Sequence, residues 1–195
     1  MDSGSPDRRA EIVRAALDLL DESGLDAVTL RAVAARIGVR LNTVSWHVKT
    51  KAGLRDLLAD AVVGEIRLDR LPSAGGERAR ELLRRYRRTL LAHRDGGRVV
   101  AGTFPAEPGT FAFGEALAAA ILDAGFDERA AGWTCWTLIY FTLGLVQEEQ
   151  QSPDEHLAVK LDVGGHPALT RIRPYLAAND FDERFEFGLE RILAR

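Results

Sequence analysis

With 195 residues, 46% of them hydrophobic and 28% charged, the chain has the balance of a globular protein, long enough for one sizeable core or for a small domain beside a larger one. A formal net charge of −3 excludes a protein that coats nucleic acid over its whole surface, so any DNA contact must be confined to a patch. The single Cys135 rules out an internal disulfide and suits a reducing compartment. No N-terminal signal region is evident, and the longest apolar run (133–146) is too short and too interrupted by threonine for a membrane span; a cytoplasmic protein is expected.

Residues 1–6 read as a loose polar tail. From Asp7 a helix is predicted, with Ile12, Val13, Ala16, Leu17 and Leu20 as its buried stripe and Gly24 as its stop. Thr29 is placed to cap the next helix, where Leu30, Val33, Ala34 and Ile37 recur at the spacing of one buried face. Gly38 ends it by accepting a left-handed backbone, and Val39 plugs the corner. The third helix restarts near Leu41, with Asn42 or Thr43 at its start. Val44 and Val48 lie on one side, leaving Thr43, Ser45, Trp46, His47 and Lys49 to face outward. Between Ala27 and Arg55 stand Arg31, Arg36, Arg40, Lys49, Lys51 and Arg55, without an acid, in a chain that is acidic overall. Helix, glycine turn, helix with a local positive charge is the pattern of a helix-turn-helix, whose second helix enters the major groove. Spacing alone also fits two amphipathic helices with a solvated arginine face.

A longer helix is predicted from about Thr50 to Leu68 through Leu54, Leu57, Leu58, Ala61, Val62 and Ile66. It ends at a break around Pro72, Ser73, Gly75 and Gly76. Residues 77–93 follow as a helix with Leu82, Leu83, Tyr86, Leu90 and Leu91 inward. Its outer cluster Arg84, Arg85, Arg87 and Arg88 reads as a solvated face paired with Glu77 and Glu81, or as a second DNA patch. The stretch 95–109, rich in glycine and proline, fits either a hinge or a plain connector. Residues 110–124 form a helix closed by Gly125. The run 133–146 is apolar nearly all round and must be covered on every side, by a pocket on one face and a partner subunit on the other. Residues 147–165 read as a polar loop, and 167–177 and 182–195 as two last helices. The second of these carries Phe185, Leu189, Ile192 and Leu193 on a face that nothing but another copy of the chain is left to cover.

The segment VSWHVKTKAGLRDLLADAV, with Trp46, His47, Val48, Lys49 and Lys51 matching one by one, resembles the recognition helix and following helix of the tetracycline repressor (TetR) family. The segments HRDGGRVVAGTFP and FTLGLVQEEQ resemble the regulatory core of the family's namesake. The resemblance spans the chain from about Ala10 to its end. It implies an all-α fold, with a three-helix helix-turn-helix DNA-binding domain over 1–50 joined by a long helix to a helical regulatory, ligand-binding and dimerisation domain over 51–195. The implied protein is a ligand-responsive homodimeric repressor of a palindromic DNA operator, and not an enzyme. His47, His93, His156 and His166 are scattered, and no nucleophile–base pair or phosphate loop is apparent. A DNA-binding architectural protein without a ligand is the alternative.

The resemblance implies DNA contacts from Arg31, Arg40, Leu41, Asn42, Thr43, Ser45, His47, Lys49 and Lys51, with Trp46 taken for a packing residue. Leu41, Asn42 and Ser45 depart from the glutamine, proline and tyrosine of the namesake, so a different operator is expected. The implied ligand positions are Arg67, Leu82, Tyr86, Val100, Thr103, Phe104, Pro105, Phe113, Leu117, Trp136, Tyr140 and Glu148. Each of these also fits plain core. Val100 stands where the namesake has a metal-binding histidine, so no metal and no other cofactor is expected, and an unidentified apolar, aromatic effector takes the place of a metal–drug chelate. A four-helix dimer interface is implied around Trp133, Phe185, Leu189, Ile192 and Leu193.

Overall fold

The computed structural model describes residues 6–151, 165–178 and 180–194, and among these every regular element is helical. Three helices, α1 (Pro6–Ser23), α2 (Leu30–Arg36) and α3 (Leu41–His47), precede α4 (Lys51–Gly64). The larger part follows as α5 (Gly75–Ala92), α6 (Gly96–Val100), α7 (Pro108–Asp123), α8 (Glu128–Gln151), α9 (Pro167–Ala177) and α10 (Phe181–Leu193). Residues 1–5 of the predicted tail lie outside the described part, while Pro6, its last residue, opens α1; residues 152–164 of the predicted polar loop and Arg195 of the last helix also lie outside.

Local chemistry sets the first boundaries. Thr29 accepts a hydrogen bond from the Ala32 amide (3.1 Å), Thr50 does the same for Gly53 (2.9 Å), and Gly24 and Gly38 adopt φ of +81° and +69°. The start of α3 differs from expectation. Neither Asn42 nor Thr43 caps it: the N-cap is Arg40, without a side-chain bond, and the Arg40 carbonyl accepts from the Thr43 amide (2.9 Å).

Helices α4, α5, α7 and α8 pack around one continuous core that runs from Ile12 through Leu58, Leu82, Leu90, Leu117 and Leu138 to Leu189. Asp60 of α4 holds the start of α7, accepting from the Thr110 amide (2.6 Å) and hydroxyl (2.8 Å) and from the Gly109 amide (3.3 Å). Glycines allow the closest approach: a Cβ on Gly96 would lie 2.1 Å from the Leu90 carbonyl oxygen, and one on Gly97 3.0 Å from Val146. These two residues are therefore buried packing positions inside a short helix and not a free hinge. The open turn comes later, at Gly102 with φ +75°.

Two further expectations are corrected. Residues 147–151 belong to α8, because Gln150 has partners there: its amide nitrogen donates to the His93 and Leu90 carbonyls (2.8 and 3.2 Å) and its oxygen accepts from Gly97 (3.1 Å). The last helix does not wait for a second copy. Phe185 (1% exposed) stacks on Phe141 at 6.1 Å, and Leu189 and Leu193 are buried beside it. Arg84 and Arg87 of α5 pair with Glu186 and Asp182. On α8, Leu138 and Val146 are buried, while Trp133, Trp136 and Tyr140 are exposed.

Candidate nucleic-acid interface and ligand cavity

Packing of Val33 and Ala34 of α2 and of Val44 and Val48 against the α1 and α4 cores turns the opposite face of α2 and α3 outward. Arg31, Arg40, Asn42, Lys49 and Lys51 are exposed on it, and Leu41, Thr43, Ser45 and His47 are half-buried. Trp46 faces outward, as helical spacing places it, and does not have the packing role also expected of it: it is 83% exposed. Two of the six cations counted in the sequence are used elsewhere. Arg36 is paired with Glu22 of α1, which lowers the Glu22 pKa and raises that of Arg36 chiefly through the shared hydrogen bonds. Arg55 turns inward: its Nε donates to the Val99 carbonyl (3.0 Å), and its Nη2 to the carbonyls of Arg98 and Ala101.

Arg55 thus ties α4 to the C-terminal turn of α6, and that turn is also the wall of a cavity. The cavity, about 470 Å³, lies between α4, α6, α7 and α8. Of the sequence-derived positions, Tyr86, Val100, Thr103, Phe104, Pro105, Phe113, Trp136 and Tyr140 line it. Tyr86 stacks on Phe113 (centroids 4.9 Å apart), and Trp136 stacks on Tyr140 (5.4 Å) and touches Phe104 (5.5 Å), so two aromatic pairs face the space. Burial pushes the Tyr86 phenol far above its ordinary pKa, so it stays a neutral hydroxyl. Among the described residues, no side chain lining the cavity carries a formal charge.

Four positions are not brought there. Leu82 and Leu117 are fully buried core between α5 and α7. Arg67 pairs with Asp69 (2.8 Å) at the surface, and Glu148 faces outward on α8. Sequence reasoning missed Ala59 and Val63 of α4, Thr110 and Gly114 of α7, and Ile139, Leu143, Gly144 and Gln147 of α8. The α8 set had a readable signal, since 136, 139, 140, 143, 144 and 147 form one helical face.

The three-helix part docks on the body through polar contacts. His93, at the end of α5, lies between Asp21 of α1 (Nδ1, 3.1 Å) and Glu65 after α4 (Nε2, 3.0 Å). Burial works against its charge, but the hydrogen bonds to Glu65 and Asp21 outweigh this and leave its pKa above the ordinary histidine value. The Asp95 carboxylate accepts from the Leu25 amide (2.9 Å), Arg98 pairs with Asp26 (3.1 Å), and Arg9 pairs with Glu107.

Residues 12–58 match the family model for bacterial regulatory proteins of the tetR family, and residues 72–194 match the model for the tetracyclin repressor-like C-terminal domain. The chain belongs to the TetR family. It is 36% identical over 192 residues, 93% of this chain and 87% of the other, to the class A tetracycline repressor protein from transposon 1721 in Escherichia coli. Its fold is similar to that of Streptomyces coelicolor ActR solved with actinorhodin, with 28% identity, 100% of this chain and 95% of that chain covered, and a TM-score of 0.85. It is also similar to the Q116A variant of TetR from Acinetobacter baumannii AYE solved with minocycline, with 30% identity, 94% and 92% coverage and a TM-score of 0.71. As a TetR-family member the chain is a ligand-responsive, homodimeric DNA-binding transcriptional regulator and not an enzyme. Among the described residues no helix is long and apolar enough to cross a membrane.

Proposed function

We propose that this TetR-family regulator is a cytoplasmic repressor that reads a palindromic operator with residues 1–50 and is released by a flat, uncharged polycyclic compound held in the domain formed by 51–195. The observation that carries the reading is the double use of one turn: the carbonyls of Arg98, Val99 and Ala101 accept from Arg55 of α4, while Val100 and Ala101 wall the cavity. A guest that pushes on this turn displaces the acceptors of Arg55 and so shifts α4, whose front end carries Lys51 and abuts α3. Only the difference in ligand affinity between the two states drives release. Moving occupancy from nearly full to nearly empty needs about 5.5 kcal/mol, which a dimer can divide between two cavities.

On DNA, Arg31, Arg40, Lys49 and Lys51 neutralise phosphates. Leu41, Asn42, Thr43, Ser45 and His47 face the base edges and neighbouring backbone, with Trp46 beside them. Two such faces in a dimer suit half-sites about 34 Å apart. For the ligand, the uncharged aromatic walls favour stacking, and Val100 offers methyl groups where a metal chelate would need a donor. The partner subunit covers the outward face of α8, with Trp133 central and Ile192 at its border, while Phe185, Leu189 and Leu193 support that face from behind.

DNA flanking the protein's own gene is titrated at two salt concentrations beside a variant with Arg31, His47 and Lys51 changed to alanine. Tight, salt-sensitive binding at two protomers per site, lost in the variant, is the expected result. A random-site selection that enriches no palindrome would refute the operator reading.

A further inference from the structure

A second cleft, lined in part by Arg55, lies in the seam where the three-helix part meets the body. It measures about 380 Å³. One wall is the turn after α1, with Leu25, Asp26 and Val28; the other is the first two turns of α4 with Arg98 of α6. Its floor is apolar: Val28, Leu54 and Leu58 are all buried. Its rim is cationic, with Lys51, Arg55 and Arg98 against the carboxylate of Asp26, while Asp95, outside the lining, approaches Arg98 at 3.6 Å. The Asp26 carboxylate is already hydrogen-bonded to Arg98 (3.1 Å), and among the described residues no carboxylate pairs with Lys51 or Arg55. Arg55 donates to neutral carbonyls, which leaves its charge uncompensated beside an apolar floor.

We propose that this seam cleft is a second small-molecule site, for a compact amphipathic anion whose carboxylate meets the Lys51–Arg55–Arg98 rim and whose apolar body rests on Val28, Leu54 and Leu58. The chemistry follows from the lining: an apolar floor with surplus positive charge favours an aromatic or aliphatic acid over a neutral molecule and repels a cation. A guest here bridges the two walls and ties the DNA-reading part to α4 and α6. It contacts Arg55, whose hydrogen bonds hold the turn that walls the aromatic cavity, so occupancy of one site alters affinity at the other, reciprocally.

The probe is naphthalene-2-carboxylate, with the neutral naphthalene-2-carboxamide as its control, and the readout is amide hydrogen exchange of the full chain. The expected result is slowed exchange in residues 25–28 and 51–58 with the acid and not with the amide. Arg98→Gln also breaks the Arg98–Asp26 pair, so each protein is compared with its own ligand-free exchange; the acid concentration needed for half-maximal protection is expected to rise about tenfold, the loss of one charge-assisted hydrogen bond. Protection confined to 100–105 and 136–147 would place the acid in the aromatic cavity alone and overturn the proposal. No protection up to the solubility limit, or equal protection by acid and amide, would overturn it as well.

Discussion

Arg55 carries a charge that sequence reading assigns to the DNA-facing stretch, yet its guanidinium is engaged on the carbonyls that end α6. Arg55→Ala removes the link while leaving the outward face of α3 intact. DNA affinity without ligand is expected to stay within about threefold, while the ligand dose for half-release rises about tenfold or more, a coupling of roughly 1.4 kcal/mol. Trp46 is the converse case. Residue type suggests a packing tryptophan and helical spacing an outward one; 83% exposure decides for the second, so Trp46→Ala should shift stability by no more than about 0.5 kcal/mol in a thermal melt while weakening DNA binding severalfold. A melt showing a large loss instead would put Trp46 in the core. At Gly96 the expected effect is purely structural. A methyl group 2.1 Å from the Leu90 carbonyl oxygen has no room, so Gly96→Ala is expected to cost about 1–3 kcal/mol by denaturant unfolding.

Among the elements, periodicity made most helices legible. The buried stripes of α1, α2, α4, α5 and α7 and the stops at Gly24, Gly38 and Gly125 follow from spacing and backbone chemistry alone. A stripe says that a face is buried and not what buries it, which is why Phe185 and Leu189 looked free for a second copy when α8 already covers them. Leu82 and Leu117 share helix faces with Tyr86 and Phe113, so no pattern could separate core from cavity wall. The link between α1 and α5 through His93 was equally invisible, because it joins residues 72 apart. Its pKa is raised, so the contribution of His93 to stability is fully present below the unfolded value of about 6.5 and is lost as pH rises through the higher folded value. The melting temperature of the wild type is expected to fall across that window relative to His93→Gln. Parallel curves for the two proteins would contradict this.

For the whole molecule, the aromatic cavity, the α6 turn and the DNA-reading face form one mechanical series. The most direct test is the anisotropy of labelled operator DNA bound to the wild-type dimer and to Gly114→Phe, a substitution that fills the cavity from α7, where an added Cβ meets nothing within 4 Å. The titrants are a neutral anthraquinone and a magnesium–tetracycline chelate. The account predicts that the uncharged polycyclic releases DNA from the wild type and not from Gly114→Phe, and that the magnesium chelate releases DNA from neither. Equal release from both proteins, or release by the magnesium chelate alone, would contradict it.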